Sequence, residues 1–262
     1  MDFYDLLQNH VGIFVLVMTR ISGIFLLSPF FGSQNIPMMI RAGLSFALAI
    51  LLFPVLDKEM IDNVVLPATV LGYVIVAAEE LFVGWLIGMV SYMIMAAINM
   101  GGKIMDMQIG FAMVNVMDPT TNQQNALVGS FLYNLAIIVL LVTNGHHMIL
   151  SAVVGSFDMV PVGGVSPSSG LPQLISDLTG GIFYTGVKIA LPVTFAILVT
   201  NVGLGILART MPQMNIFVVG IPLQLTVGAF VLMMVIPFYI VFLDVIFNAV
   251  YANISTAIRF LR

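Results

Sequence analysis

Long apolar runs separated by short polar breaks dominate the chain. A helix that spans a membrane needs roughly 20 mainly apolar residues, and the pattern predicts about six long helical segments on that rule. The apolar runs cover residues 11–31, 42–56, 64–78, 81–100, 126–154, 182–207 and 216–247. The polar breaks include 57–63, 101–124 and a loop predicted at 155–170, which is rich in Gly, Pro and Ser.

The prolines inside these apolar runs include Pro54, Pro192, Pro222 and Pro237. A proline in a helix interior removes a hydrogen bond and kinks the helix. In lipid, such a break survives only where protein or a water-filled cavity satisfies the backbone. We therefore predict an all-α protein whose helices, broken at Pro and Gly, pack against other helices. Simple kinks in spanning helices remain an alternative for each proline.

The composition requires a cover for this apolar surface. The 262 residues are 60% hydrophobic and 8% charged, whereas a soluble domain carries about 25% charged residues. Lipid or partner subunits must therefore meet much of the surface. The absence of cysteine excludes disulfides and a thiolate metal site. The net charge of −4 is spread thinly and leaves no basic patch for a nucleic acid.

The two chain ends give expectations about processing and orientation. Asp2 and Asp5 stand where a signal peptide needs positive charge, so we expect the first apolar run to be retained. Arg259 and Arg262 flank the last apolar run, which favours a cytoplasmic C-terminus.

Arg20 lies within an apolar run, and the pair Glu79-Glu80 separates two others. Arg20 lies in the first run, and a charge at membrane depth usually faces the protein interior. It is either a pore-lining charge or functional ion pair, or an anchor that pairs with an acid or with carbonyls. The anchor is favoured because the sequence shows no evident partner. At Glu79 and Glu80 we predict a turn at the membrane edge rather than a proton relay, because the next candidate groups for a relay, Lys103 and Asp106, lie beyond a whole helix.

Candidate chemistry is sparse. His146 and His147 are adjacent and have no acid nearby, so a helix cap or an interhelical hydrogen bond is favoured over a metal site. The sequence lacks GxSxG, HExxH and P-loop motifs. No catalytic, cofactor-binding or metal-binding residue is therefore predicted.

Two segments carry more information. Gly84 and Gly88 form a GxxxG pair, which favours close helix packing although the motif often occurs by chance. The segment 101–124 mixes Gly, Asp, Gln and Asn with several of the 19 methionines. Methionine re-packs easily, so a loop of this kind could seal a pore and still yield to different chains. An ordinary amphipathic connection in a Met-rich protein explains the composition equally well.

The chain resembles the FliR family of flagellar export-gate subunits, whose relatives serve type III secretion injectisomes. Short motifs in a specific order carry the resemblance over most of the length. They are Arg20-Ile21-Ser22-Gly23, Ser28-Pro29, Ile36-Pro37, Gly101-Gly102, Asp106-Met107-Gln108-Ile109-Gly110, Asp118-Pro119, Asn144-Gly145-His146-His147 and Pro212-Gln213-Met214-Asn215.

The resemblance implies a non-enzymatic channel subunit of the flagellar type III protein export gate, in the bacterial inner membrane at the flagellar basal body. One such R-type subunit would join five P-type and four Q-type subunits in a helical hetero-oligomeric assembly of helical hairpins. The assembly would form the entrance pore for unfolded export substrates, which larger gate components and an ATPase deliver. Within the single subunit 1–262, residues 1–180 would be P-type-like and 181–262 Q-type-like.

The resemblance also implies that a loop of this subunit, at about residues 106–123, plugs the closed channel. The candidate plug and gating residues are Asp106, Gln108, Gly110, Phe111, Met113, Met117 and Asp118. The candidate helix-packing residues are Gly84, Gly88 and Arg20. Lipid is expected to cover only part of the apolar surface, with neighbouring subunits covering much of the rest.

Two other functions are weighed against this one. A secondary transporter for a small solute would use broken helices near the membrane midplane. Pro192 and Pro222 could supply such breaks, but a clear internal repeat is missing. An intramembrane enzyme would need a nucleophile and a base, and the sequence offers no plausible pair.

Overall fold

The computed structural model describes residues 3–32, 36–56, 64, 66, 67, 69–111 and 126–262. Within these residues the regular structure is helical, which confirms the all-α prediction. The helices are α1 (Phe3–Leu27), α2 (Met38–Leu52), α3 (Val70–Ile109), α4 (Leu127–Val142), α5 (Gly145–Met159), α6 (Leu171–Thr210) and α7 (Ile216–Arg259).

Several of these helices have the length and apolar composition of membrane spans. Four qualify among the described residues, through His10–Leu27 of α1, all of α3, all of α6, and Val218–Arg259 of α7. Helices α4 and α5 add a fifth span if they are counted as one helix bent by 66°. The helices therefore support the expectation of a membrane-embedded protein.

The predicted turn at Glu79 and Glu80 is wrong. Helix α3 runs through both residues without interruption for 40 residues. Glutamate is a good helix former, and Glu80 is fully buried instead of lying at a membrane edge. A charge inside an apolar helix marks an edge only when it lacks a buried partner, and Glu80 has one.

The prolines have different effects on the helices. Pro54 follows the end of α2 at Leu52, whereas α6 continues through Pro192 and α7 continues through Pro222 and Pro237. The 66° bend lies elsewhere, between α4 and α5. At that bend Asn144 has a φ of 57°, a left-handed conformation that asparagine tolerates better than most residues.

The chain forms two compact units. Unit one comprises Met1–Met93, Asn144–Leu178 and Phe247–Arg262, and unit two comprises Ile94–Thr143 and Thr179–Ile246. Helices α3, α6 and α7 contribute residues to both units. The likeness of 1–180 and 181–262 to P-type and Q-type subunits is a separate matter and stays a prediction.

One face of α1 supplies much of the core of unit one. Leu16, Val17, Ile21 and Ile24 are at most 1% exposed, and their spacing places them on one side of a helix. Apolar residues on the opposite side, such as Val15, are exposed. Because α1 is apolar on all sides, only its packing identifies the buried face.

The C-terminal residues are part of the fold of unit one, not the short basic tail predicted for 254–262. Helix α7 continues to Arg259, and the backbone N–H groups of Ser166 and Ser168 donate to the carbonyls of Leu261 and Phe260, at 2.9 and 2.8 Å.

The predicted loop 155–170 begins later than expected, because α5 extends to Met159. Phe157, which lies in this part of α5, is fully buried.

Leu261 offers a test of this C-terminal attachment. Its side chain is fully buried, so Leu261→Ala is expected to cost about 2–5 kcal/mol of unfolding free energy. The neighbouring Arg262 is exposed, and Arg262→Ala should change stability by less than about 0.5 kcal/mol. Thermal unfolding in detergent, followed by the fluorescence of the single tryptophan, Trp85, measures both variants. Equal midpoints for the two variants would contradict a folded C-terminus.

Candidate functional site

A buried ion pair lies inside unit one. The Nε of Arg20 donates to Oε2 of Glu80, and Nη2 donates to Oε1 at 3.0 Å. Both side chains are 0% exposed. This paired arrangement matches the fork of a guanidinium to the two oxygens of a carboxylate. The structure thus supplies the acidic partner for Arg20 that the sequence did not reveal.

The remaining guanidinium nitrogen of Arg20, Nη1, also has hydrogen-bond partners. Nη1 of Arg20 donates to the carbonyl of Val160 at 3.0 Å and to Oγ of Ser156 at 3.3 Å. The ring of Phe157 lies 4.2 Å from the guanidinium carbon, at a cation–π distance. A buried charge is tolerated when it is paired and its remaining donors are bonded. These contacts are those of an anchor that pairs with both an acid and a carbonyl.

Glu80 has a second partner beyond α5. The backbone N–H of Gly163 donates to Oε1 of Glu80 at 2.9 Å. Gly163 has a φ of +74°, a left-handed conformation that glycine adopts without steric cost. The ion pair therefore connects α1, α3, α5 and the segment that follows α5.

Glycines bring α1 and α3 into backbone contact beside this ion pair. A Cβ on Gly84 would overlap the carbonyl oxygen of Arg20, and a Cβ on Gly88 would lie 3.0 Å from the carbonyl oxygen of Ile24. On α1, a Cβ on Gly23 would lie 2.6 Å from the carbonyl oxygen of Leu81. Small residues allow this close approach.

The sequence contained a partial signal for this cluster. Glu80, Gly84 and Gly88 are spaced four residues apart, so they lie on one face of α3. An acid in register with a GxxxG pair inside an apolar helix indicates a buried charge at a close helix crossing. Only the fold shows that Arg20 is the residue opposite.

The predicted plug residues begin at the end of α3, within unit two. Asp106 and Gln108 lie in the last turn of the helix, which places the first residues of the predicted loop in α3. Gly110 follows with a φ of +97°, a conformation that commonly ends a helix. Phe111 is half-buried, and Met113, Met117 and Asp118 lie outside the described residues.

Asp106 bonds to the start of the next helix. Its Oδ1 accepts the N–H of Val128 at 3.0 Å, and its Oδ2 accepts the N–H of Gly129 at 3.1 Å. The side chain of Ala126, the residue before α4, provides no cap. The first N–H groups of a helix lack partners within it, and a negative charge there is stabilised by the helix dipole. Asp106 therefore caps α4 from another helix.

Glycines again allow close packing around this contact. A Cβ on Gly102 would overlap the Cα of Gly129 at the start of α4. A Cβ on Gly101 would lie 2.7 Å from the carbonyl oxygen of Gly186 in α6. One short stretch of α3 thus packs closely against two other helices of unit two.

The last turns of α3 have two different faces. Met105, Asp106 and Ile109 are buried, whereas Lys103 and Met107 are exposed, Met107 by 73%. Of these exposed residues, Met107 belongs to the segment predicted to plug the channel. Asp106, one of the predicted plug residues, is on the buried face.

The two histidines lie in the first turn of α5. Their ring centroids are 4.2 Å apart, and Nδ1 of His146 is buried without a hydrogen-bond partner among the described residues. No group of three or more His, Cys, Asp or Glu among those residues is arranged to hold a metal ion. At the start of α5 the structure therefore shows two closely packed imidazole rings.

Comparison with known proteins gives matches over most of the chain. A family model described as "Bacterial export proteins, family 1" matches residues 11–250. The chain is 34% identical over 255 residues to the flagellar biosynthetic protein FliR of Bacillus subtilis (strain 168), across 95% of this chain and 93% of that relative. It is 31% identical over 218 residues to FliR of Aquifex aeolicus (strain VF5), across 83% of each chain. Identity to FliR of Escherichia coli (strain K12) is 25% over 232 residues, across 88% of this chain and 87% of that relative.

Glu80→Gln tests the ion pair. The substitution leaves the Arg20 charge buried without a counter-charge, so it should cost about 3–5 kcal/mol of unfolding free energy. Glu79→Gln makes the same chemical change one residue away, at a partly exposed position, and should have little effect. Thermal unfolding followed by Trp85 fluorescence provides the measurement. In a double-mutant cycle with Arg20→Met, strictly additive losses would show that the two side chains are not coupled.

Gly84→Ala tests the helix crossing. The added methyl group would overlap the backbone of α1 at Arg20, so the helices must separate, at a cost of about 1–3 kcal/mol. Gly155 is also helical, and a Cβ there would meet open space. Gly155→Ala should therefore be neutral or slightly stabilising, because alanine favours helix. Similar unfolding midpoints for both variants, measured in the same detergent, would be inconsistent with a backbone contact at Gly84.

Proposed function

The chain belongs to the FliR family of bacterial export proteins, and from this premise we propose that it is a non-enzymatic channel subunit of the flagellar type III protein export gate. In this role it forms part of the entrance pore for unfolded export substrates. The gate lies in the bacterial inner membrane, at the flagellar basal body.

The observation that carries the proposal is the length of the exposed apolar helices. At 1.5 Å per residue, the 40 residues of α6 and the 44 residues of α7 are about 60 Å and 66 Å long. A bilayer is only about 40–45 Å thick even with its headgroups. Large apolar side chains are exposed from Phe183 to Ile206 on α6 and from Val218 to Val245 on α7.

At 1.5 Å per residue, these exposed apolar stretches are about 35 Å and 41 Å long, which exceeds the roughly 30 Å hydrocarbon core of a bilayer, so lipid tails alone do not cover them on an untilted helix. The remaining apolar surface must meet protein, because exposed patches of this size do not persist in water. P-type and Q-type subunits in a helical hetero-oligomer would provide that cover. Residues 1–180 would then occupy a P-type-like place in the assembly and 181–262 a Q-type-like place, with the larger gate components and an ATPase supplying substrates.

We extend the proposal to a plug formed by about residues 106–123. Its support among the described residues is the exposed side of the last turn of α3, where Met107 and Gln108 lie, and the glycine at 110 that ends the helix. The two flanks of the segment lie together, because Asp106 binds Val128 and Gly129. The sequence alone is the basis for including Met113, Met117 and Asp118 in the plug.

The structure weakens the case for the small-solute transporter. That alternative depended on broken helices at Pro192 and Pro222, where unwound backbone could bind a solute or ion. Helices α6 and α7 continue through both prolines. The proposed channel subunit does not need such breaks.

The native mass of the detergent-extracted complex tests the channel proposal. We expect a large hetero-oligomer that contains this chain together with P-type and Q-type subunits, because partner chains must cover α6 and α7. A monomer or homodimer that alone takes up a small solute in liposomes would support the transporter instead.

Deletion of residues 110–117 tests the plug. We expect the closed complex to leak ions or small molecules, measured as an increase in membrane conductance over the wild type. A strain that lacks the whole subunit is the control, since without a pore it should not leak. Wild-type conductance from an assembled complex that carries the deletion would refute the plug assignment.

A further inference from the structure

Asp106, the first residue of the proposed plug segment, is a charged residue that is buried within this chain. Its side chain is only 4% exposed, so it does not line a water-filled channel within this chain. Both carboxylate oxygens are bonded, one to the N–H of Val128 and the other to the N–H of Gly129.

We infer that Asp106 is a positioning residue, which clamps the start of α4 to the end of α3 and so holds the two flanks of the plug segment together. The inference rests on the proposed export function for its consequence. The clamp itself is formed entirely by described residues at 102–106 and 126–129.

The chemistry of the clamp requires a carboxylate. The backbone N–H groups of the second and third residues of α4 have no hydrogen-bond acceptor within the helix. Ala126 has no side-chain oxygen to offer. Only a carboxylate places two acceptor oxygens in front of both N–H groups, since a carboxamide has a single acceptor oxygen and an NH₂ group that would face a donor.

The backbone contact beside Asp106 makes the clamp rigid. A Cβ on Gly102, one helical turn before Asp106, would overlap Gly129. Helices α3 and α4 therefore touch at the point where the carboxylate binds. Charge-assisted hydrogen bonds are among the stronger ones in proteins, and here they act with close packing.

This clamp has a consequence for export. Under the proposed function, α3 and α4 must keep their positions if the pore is to reseal after an unfolded chain has passed. Asp106 holds these two helices together, so loss of its carboxylate should loosen the closed state of the pore without preventing assembly.

Hydrogen exchange on the purified export complex tests the clamp directly. In Asp106→Asn, the amides of Val128 and Gly129 should exchange at least about tenfold faster than in the wild type, because a hydrogen bond to a charged group is lost. Asp106→Glu keeps the charge and should protect these amides better than Asp106→Asn. Asp177→Asn makes the same chemical change at an exposed position and should leave them unaffected.

The functional readout is small-molecule leakage, measured with the same variants in cells. Asp106→Asn should assemble into a complex of wild-type mass and leak more than Asp177→Asn, whereas a purely structural role would reduce assembly instead. Unchanged exchange, unchanged leakage, or no better protection by Asp106→Glu would overturn the inference. If Asp106→Asn fails to assemble, faster exchange of the Val128 and Gly129 amides in Asp106→Glu than in Asp177→Asn would support the clamp, and equal exchange would overturn it.

The failure of the inference is distinguishable from the failure of the proposed function. Restoration of export by the wild-type chain, in a strain that lacks the subunit, tests the proposed function alone. If the wild type restores export and Asp106→Asn matches it in every measurement, only the clamp is wrong. If the wild type does not restore export, the proposed function itself is wrong.

Discussion

The pair of Arg20 and Glu80 places the strictest physical requirement on unit one. Two charges without exposure to solvent are tolerated only when each is paired and its remaining hydrogen-bonding groups are satisfied. Here that condition needs α1, α3, α5 and the turn at Gly163 to meet at one point. Glycines at the crossing of α1 and α3 let the backbones approach closely enough for the guanidinium to reach the carboxylate. The packing of these elements and the neutralisation of the charge are therefore one constraint.

Unit two repeats the same combination with different groups. The buried acid Asp106 binds backbone N–H groups at the start of α4, and glycines again bring the helices into contact beside it. Apolar side chains are a weak guide to which helices should pair when lipid is equally apolar. A buried charge with directional bonds removes that ambiguity, because the alternative pairings would leave it unsatisfied. Helix α3 carries one such acid for each unit.

The apolar surface takes on a different meaning once the helix lengths are known. Hydropathy shows what must be hidden from water and does not show what hides it. Helices α6 and α7 are longer than a bilayer, and their exposed apolar stretches, 183–206 and 218–245, are longer than its hydrocarbon core. A subunit of a protein-export assembly can hide such a surface against its neighbours. Membership of the FliR family is consistent with that requirement, which was derived from length and exposure alone.

The sequence by itself determined the helical class, the need for an apolar cover and the glycine pair at Gly84 and Gly88, because these follow from composition and from spacing along one helix. It did not identify which of Glu79 and Glu80 is buried, and it placed a turn there. It also could not pair Arg20 with Glu80 or Asp106 with the start of α4, since these partners are 60 and 22 residues apart. Helical periodicity sets which residues share a face of one helix. Which faces meet is decided only when the helices cross, where each buried charge must find its partner.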